Sequence, residues 1–141
     1  MLKAFFFLLF AGLLPTAQRS SAIQVEIQGI KSGEGEVAVL LFHQKEGFPS
    51  DHTKAMKKVI VPAKKGVLNL QFDQLPSGAY AISVMHDENR NQKLDANWMG
   101  IPKEGYGFSG NKVGLMGPPS FADASLSIQR QEERVTILMR Y

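Results

Sequence analysis

The sequence contains no cysteine. That excludes a disulfide framework, a cysteine-ligated zinc site and a thiol nucleophile. It has one tryptophan, Trp98, and three histidines, His43, His52 and His86. There is no Gly-x-Ser-x-Gly elbow, no His-Glu-x-x-His pair and no phosphate-binding glycine loop. The common signatures of serine hydrolases, zinc proteases and nucleotide-binding enzymes are therefore missing. The longest apolar run, residues 4–14, falls well short of the roughly 20 residues that a membrane-spanning helix needs. A length of 141 residues suits one ordinary domain rather than two. A hydrophobic content of 44% argues against a chain that is disordered throughout.

What is present begins with an export signal. Lys3 supplies a positive start, residues 4–14 an apolar centre rich in Phe and Leu, Pro15 a break, and small residues follow. This three-part layout reads as a secretory signal peptide over residues 1–22, with cleavage after Ala22 and cleavage after Ala17 as the alternative. No cysteine follows the apolar run, so no lipid-attachment site is expected. The expected mature chain, 23–141, is then exported, periplasmic or secreted, with no transmembrane segment of its own. Lys3 and Arg19 leave with the signal, so 16 − 2 = 14 basic residues face 13 acidic ones, a net charge of +1. The initial excess of positive charge gives no reason to expect a nucleic-acid partner.

The mature segment alternates apolar and polar residues with period two, the mark of half-buried strands. Ile23, Val25 and Ile27 alternate with Gln24, Glu26 and Gln28; Leu68, Leu70 and Phe72 alternate with Asn69, Gln71 and Asp73. Strands are expected at 23–28, 37–42, 56–61, 67–73, 79–86, 122–128 and 135–140. The strand at 37–42 is apolar on both faces, as expected between two layers. About seven short strands with Gly/Pro turns predict an all-β fold. The expected architecture is a single antiparallel β-sandwich of the immunoglobulin-like or transthyretin-like kind, with a closed barrel as the alternative.

Residues 87–120 break this rhythm and are expected to form one long ordered loop. They hold six of the twelve glycines after residue 22 and three of the six prolines. A loop of this length in a compact domain is usually functional. Oxygen-bearing side chains recur at Asp87, Asn89, Asn91 and Asp95, with Asn97 beyond. Alternate oxygens in a tight loop suit calcium, which takes six to eight oxygen ligands. The opening Asp-x-Asn-x-Asn matches an EF-hand-type loop. Gln92 stands where that loop has its sixth-position Gly, Trp98 replaces its bidentate Glu, and flanking helices are not expected. The competing reading is that these side chains cap turns by bonding their own backbone. Trp98, Tyr106 and Phe108 are the aromatic candidates for contact with a ligand, or else anchors of the loop.

Several of these runs together resemble one family. They are His86-Asp87-Glu88-Asn89-Arg90-Asn91, Leu94-Asp95, residues 100–109 beginning Gly-Ile-Pro-Lys-Glu-Gly-Tyr-Gly-Phe-Ser, and Gly117-Pro118-Pro119-Ser120-Phe121. With the Leu-Pro-x-Gly-x-Tyr-Ala turn at residues 75–81, the chain resembles domain of unknown function family 2141. The resemblance covers essentially the whole mature chain and implies an exported bacterial β-sandwich, without implying an activity. The family often has Gly where Arg90 and Gln92 stand, which implies a backbone here less free to wrap an ion.

The leading expectation is a non-catalytic binding or structural module of the cell envelope or exterior. The alternative is a small metal-dependent enzyme. His43 and His86 each end an expected strand; if those strands are neighbours, the two imidazoles and Asp87 make a zinc or iron centre. Some transthyretin-like proteins are hydrolases that use His, Arg and a particular terminal tail, but residues 138–141, Leu-Met-Arg-Tyr, do not match that tail. Basic residues cluster only weakly, at Lys54, Lys57 and Lys58 and then at Lys64 and Lys65; those on the strand near Met56 are expected to protect a sheet edge rather than to bind a polyanion.

Overall fold

In a computed structural model, residues 21–114, 116–129 and 131–141 are described, and most of the expected signal peptide lies outside them. Eight strands and one short helix follow in chain order: β1 (Ser21–Ile30), β2 (Glu36–Phe42), β3 (Lys57–Pro62), β4 (Gly66–Leu75), β5 (Gly78–Asp87), β6 (Gly105–Phe108), α1 (Phe121–Ala124), β7 (Leu126–Ile128) and β8 (Glu132–Leu138). They form two sheets. The first has the order β4-β1-β8; the second has the order β3-β2-β5-β6, with β7 also paired to β5. The all-β sandwich expected from the period-two pattern is the architecture found. Ser21 and Ala22, at the end of the expected signal, open β1 opposite Leu75 and Glu132.

The core lies between the sheets because the alternation of each strand is in register with that of its neighbours. In the first sheet Ile23, Val25 and Ile27 stand opposite Phe72, Leu70 and Leu68 of β4. Val25 and Ile27 also stand opposite Val135 and Ile137 of β8. In the second sheet Val37, Val39 and Leu41 stand opposite His86, Val84 and Ile82. All of these join one buried cluster or pack against it, His86 being its buried polar neighbour. Truncating any of the fully buried members to Ala costs about 2–5 kcal/mol. The Leu75–Gly78 turn plugs one end: Tyr80 is buried and its hydroxyl donates to Pro76 O at 2.7 Å.

Four features depart from the sequence expectation. Strand β8 pairs with β1 in parallel, so the sandwich is antiparallel everywhere but there. Residues 122–128 are not one strand: Phe121–Ala124 form a helical turn capped by Ser120, which accepts from Asp123 N, and only Leu126–Ile128 extend. The segment 87–120 is not one loop, because β6 adds to β5 in its middle. Beyond β8, Arg140 and Tyr106 exchange backbone hydrogen bonds of 2.8 and 2.9 Å, which stitches the first sheet to the second along one side. The inward glycines of β6 permit this close approach. A Cβ on Gly105 meets the Tyr141 ring at 2.5 Å, and one on Gly107 meets Ile137 at 2.7 Å.

The outer face of the second sheet is partly roofed. Phe42 and Ala81 are buried there, and Phe48 from the β2–β3 loop packs edge-on against Phe42, Phe108 and Phe121. Strand β2 is therefore apolar on both faces for two reasons: one face meets the core and the other meets this roof.

Candidate functional site

Strand β5 delivers Asp87 to the head of the irregular segment, on the outer face of its sheet. The Asp87 carboxylate is buried, and it accepts from Asn91 N at 3.1 Å and Gln92 N at 2.7 Å. Asn89 Oδ1 accepts from Asn91 N, and Asn91 Oδ1 from Lys93 N, so the chain coils through successive Asx turns. The coil needs left-handed backbone at Arg90 (φ 59°) and Gln92 (φ 62°). Both residues adopt it despite their side chains, at a cost of order 1 kcal/mol each. The missing glycines therefore do not keep the loop from coiling.

The loop brings three of the four predicted side chains into contact, while the Asp87 carboxylate meets the backbone N–H groups of Asn91 and Gln92. The Asn89 amide donates to Asp95 Oδ2 at 2.6 Å, and the Asn91 amide donates to both Asp95 oxygens at 3.0 Å. A fifth participant lies outside the predicted set. Glu104 is buried beneath the loop, accepting from Glu88 N at 3.0 Å and Asp95 N at 2.9 Å. The sequence signal for it is an acid directly before the Gly-Tyr-Gly-Phe strand. Among the described residues no three His, Cys, Asp or Glu side chains gather around one point. A cation here would draw on the Asn oxygens as well. Each carboxylate oxygen that accepts one N–H keeps a second lone pair.

The predicted histidine centre is not assembled. His43 Nδ1 lies 3.0 Å from Ala79 O and its ring stacks on Tyr80, at the start of β5. His86 is at the other end of that strand, seven residues on, or about 23 Å at 3.3 Å per residue. It points into the core while Asp87 points out. His86 is fully buried and both ring nitrogens are satisfied. Nε2 lies 2.8 Å from Glu34 O, so it carries the proton, and Nδ1 accepts from the Tyr141 hydroxyl at 2.7 Å. That hydroxyl in turn accepts from Lys31 N at 2.9 Å. Burial pushes the Tyr141 phenol above its ordinary range; the Lys31 bond opposes this and the Glu88 carboxylate adds to it.

The third feature is a cleft of about 980 Å³ on the outer face of the second sheet. Strand residues such as Leu40 and Met85 form its floor. The 88–104 loop contributes Ile101 to one wall, and Val113 and Pro118 contribute to another. Tyr106 and Phe108 line it, and the β6 backbone fixes both. Trp98 does not line it; it sits at a turn tip, 91% exposed. That turn is itself rigid. Asn97 Oδ1 accepts from Met99 N at 2.9 Å and Ile101 N at 3.0 Å, and Asn97 N donates to Ile101 O at 2.8 Å.

A two-sheet β-sandwich with a coiled Asp/Asn loop beside an apolar cleft is the class this geometry defines. The chain belongs to the family described as uncharacterized protein conserved in bacteria (DUF2141), whose model matches residues 25–136. No curated protein and no solved structure matches it. Among the described residues no helix is long and apolar enough to cross a membrane.

Proposed function

We propose that this chain is an exported, non-catalytic binding module whose 87–104 loop takes calcium. The observation that supports the reading is the coiling of this segment, in which the Asn89 and Asn91 amides meet the Asp95 carboxylate while Asp87 and Glu104 accept from the loop's backbone N–H groups. These are hard oxygen donors of the kind calcium prefers. The loop segment 87–104 holds four acids (Asp87, Glu88, Asp95, Glu104) and three bases (Arg90, Lys93, Lys103), so a divalent ion relieves a residual negative charge. The separation of His43 from His86 leaves nothing to favour the metal-enzyme alternative.

Thermal melting of the full chain with calcium, magnesium or chelator tests this. A ligand that binds only the folded state stabilises it by about 2.7 kcal/mol at a hundredfold excess over its Kd. Calcium is expected to raise the melting temperature, and Asp95→Asn and Glu104→Gln, which keep the side-chain shape, to remove that rise. No shift at millimolar calcium sinks the reading. Export is tested by fractionation and by sequencing the mature N-terminus, which separates a start at residue 18 from one at residue 23.

A further inference from the structure

The cleft floor has a chemistry that follows from strand register. Two rows of side chains cross the outer face of the second sheet. One is Ile60, Ala38, Met85 and Tyr106, apolar but for the Tyr106 hydroxyl. The next is Lys58, Leu40, Ser83 and Phe108. In that row the Ser83 hydroxyl is already spent, donating to Pro49 O at 2.6 Å. With four strands about 4.8 Å apart, each row is about 14 Å long. Ile60, Met99 and Ile101 remain 40%, 58% and 53% exposed along this trough. Contiguous exposed apolar surface of this kind marks a binding site.

The trough carries charge at its margins. At the β3 edge it ends on Lys58, with Ser50 and His52 of the β2–β3 loop on the same lining; the other lining lysine, Lys93, belongs to the 87–104 loop, which also carries the acids Glu88 and Asp95. The lining acids, Glu36 and Asp87, stand opposite each other in the third row, four strand positions along β2 from Leu40. The Asp87 carboxylate already accepts two backbone N–H groups. Among the described residues the ion contacts are His86–Glu88 and Lys112–Asp123, so the Lys58 ammonium has no acidic partner there. Edge protection explains a lysine on β3. It does not explain the apolar rows that lead up to this one.

We propose that the cleft binds a single-chain amphiphile with an anionic head group, its apolar chain lying across strands β3, β2, β5 and β6 and its head at Lys58. The volume falls within the 300–1,000 Å³ range of small-ligand sites. Charge complementarity selects an anionic head over a neutral or cationic one.

The test is isothermal titration of the full chain in chelator with dodecanoate, kept below its micelle-forming concentration. Dodecanol, dodecyltrimethylammonium and anionic phospholipid vesicles are run beside it. Saturable one-to-one binding of dodecanoate is expected, with dodecanol weaker. Lys58→Ala is expected to weaken dodecanoate about fivefold and leave dodecanol unchanged. Ile101→Glu, on an exposed wall where it does not threaten folding, is expected to weaken both at least about tenfold. No monomer binding, equal affinity in both variants, or tighter binding of the cationic amphiphile overturns the proposal. Binding to vesicles alone assigns the surface to a bilayer and overturns it too. Because calcium is absent, failure of the calcium reading leaves this result untouched.

Discussion

Replacing Tyr141 by Phe tests the inner hydrogen-bond network in isolation. The substitution keeps the ring, and with it the packing on Gly105 and the contact of Lys31 Nζ, 5.4 Å above the ring centre. It removes one oxygen. That oxygen donates to His86 Nδ1 and accepts from Lys31 N. Lys31 N sits in an exposed turn, where water replaces the lost acceptor. His86 is fully buried, so its Nδ1 is left without a donor. Glu88 Oε1, 3.8 Å from Nδ1, is an acceptor and offers no proton to it. A buried polar atom left unsatisfied costs about 1–3 kcal/mol. For a domain of this length that corresponds to a fall in melting temperature of about 4–10 °C. The assay is thermal and urea denaturation of the wild type, Tyr141→Phe, His86→Leu and the double variant. Once His86 is gone the hydroxyl has little left to do, so the two changes are expected to be non-additive by about 1 kcal/mol or more. A melting shift under about 2 °C, or strict additivity, refutes the network.

Two further outcomes follow from the same geometry. Gly35 has φ 69°, and a Cβ there collides with the Asp87 carbonyl oxygen, so Gly35→Ala is expected to destabilise by about 3 kcal/mol or more, read by urea denaturation. Burial raises the pKa of both Tyr80 and Tyr141. A raised folded-state pKa means that the folded chain holds these protons more tightly. The contribution is complete below the ordinary phenol value near 10 and is lost as pH rises through the higher folded values. Melting temperature is therefore expected to fall in the alkaline range above about pH 10, and to fall less in Tyr141→Phe; an unchanged profile in that variant counts against it.

Much of this fold is legible wherever one face of a strand meets the core and the other meets water. Ile23, Val25 and Ile27 against Gln24, Glu26 and Gln28 is such a case, and the strand found there extends the pattern to Ser21 and Ile30. Strand β6 escapes notice because its inward positions are Gly105 and Gly107, which show no hydrophobic signal. Their smallness is dictated by Tyr141 and Ile137, which are far away in sequence. The helical turn at Phe121–Ala124 replaces part of an expected strand although Ser120 and Asp123 spell a cap in the sequence. At the loop, the spacing of Asp87, Asn89 and Asn91 announces a run of turns bonded to their own backbone, since Asx turns are local. Glu104 meets the backbone of the same loop only through a closure that local spacing does not encode. The cleft is least legible, because its floor is a lateral row drawn from four strands: Ile60, Ala38, Met85 and Tyr106 are neighbours only through register.

The parallel pairing of β1 with β8 bears on the order in which the molecule can form. Arg134 bonds Gln24 across 110 residues, and the stitch from Arg140 to Tyr106 joins the sheets only when β8 is in place. Closing so long a loop carries an entropic cost before any of these contacts repays it, and such topologies fold slowly. The first sheet has β1 at its centre, so it remains half-built until β8 arrives. Most of the stability that β8 brings therefore accrues late, once the whole chain is available to close the first sheet.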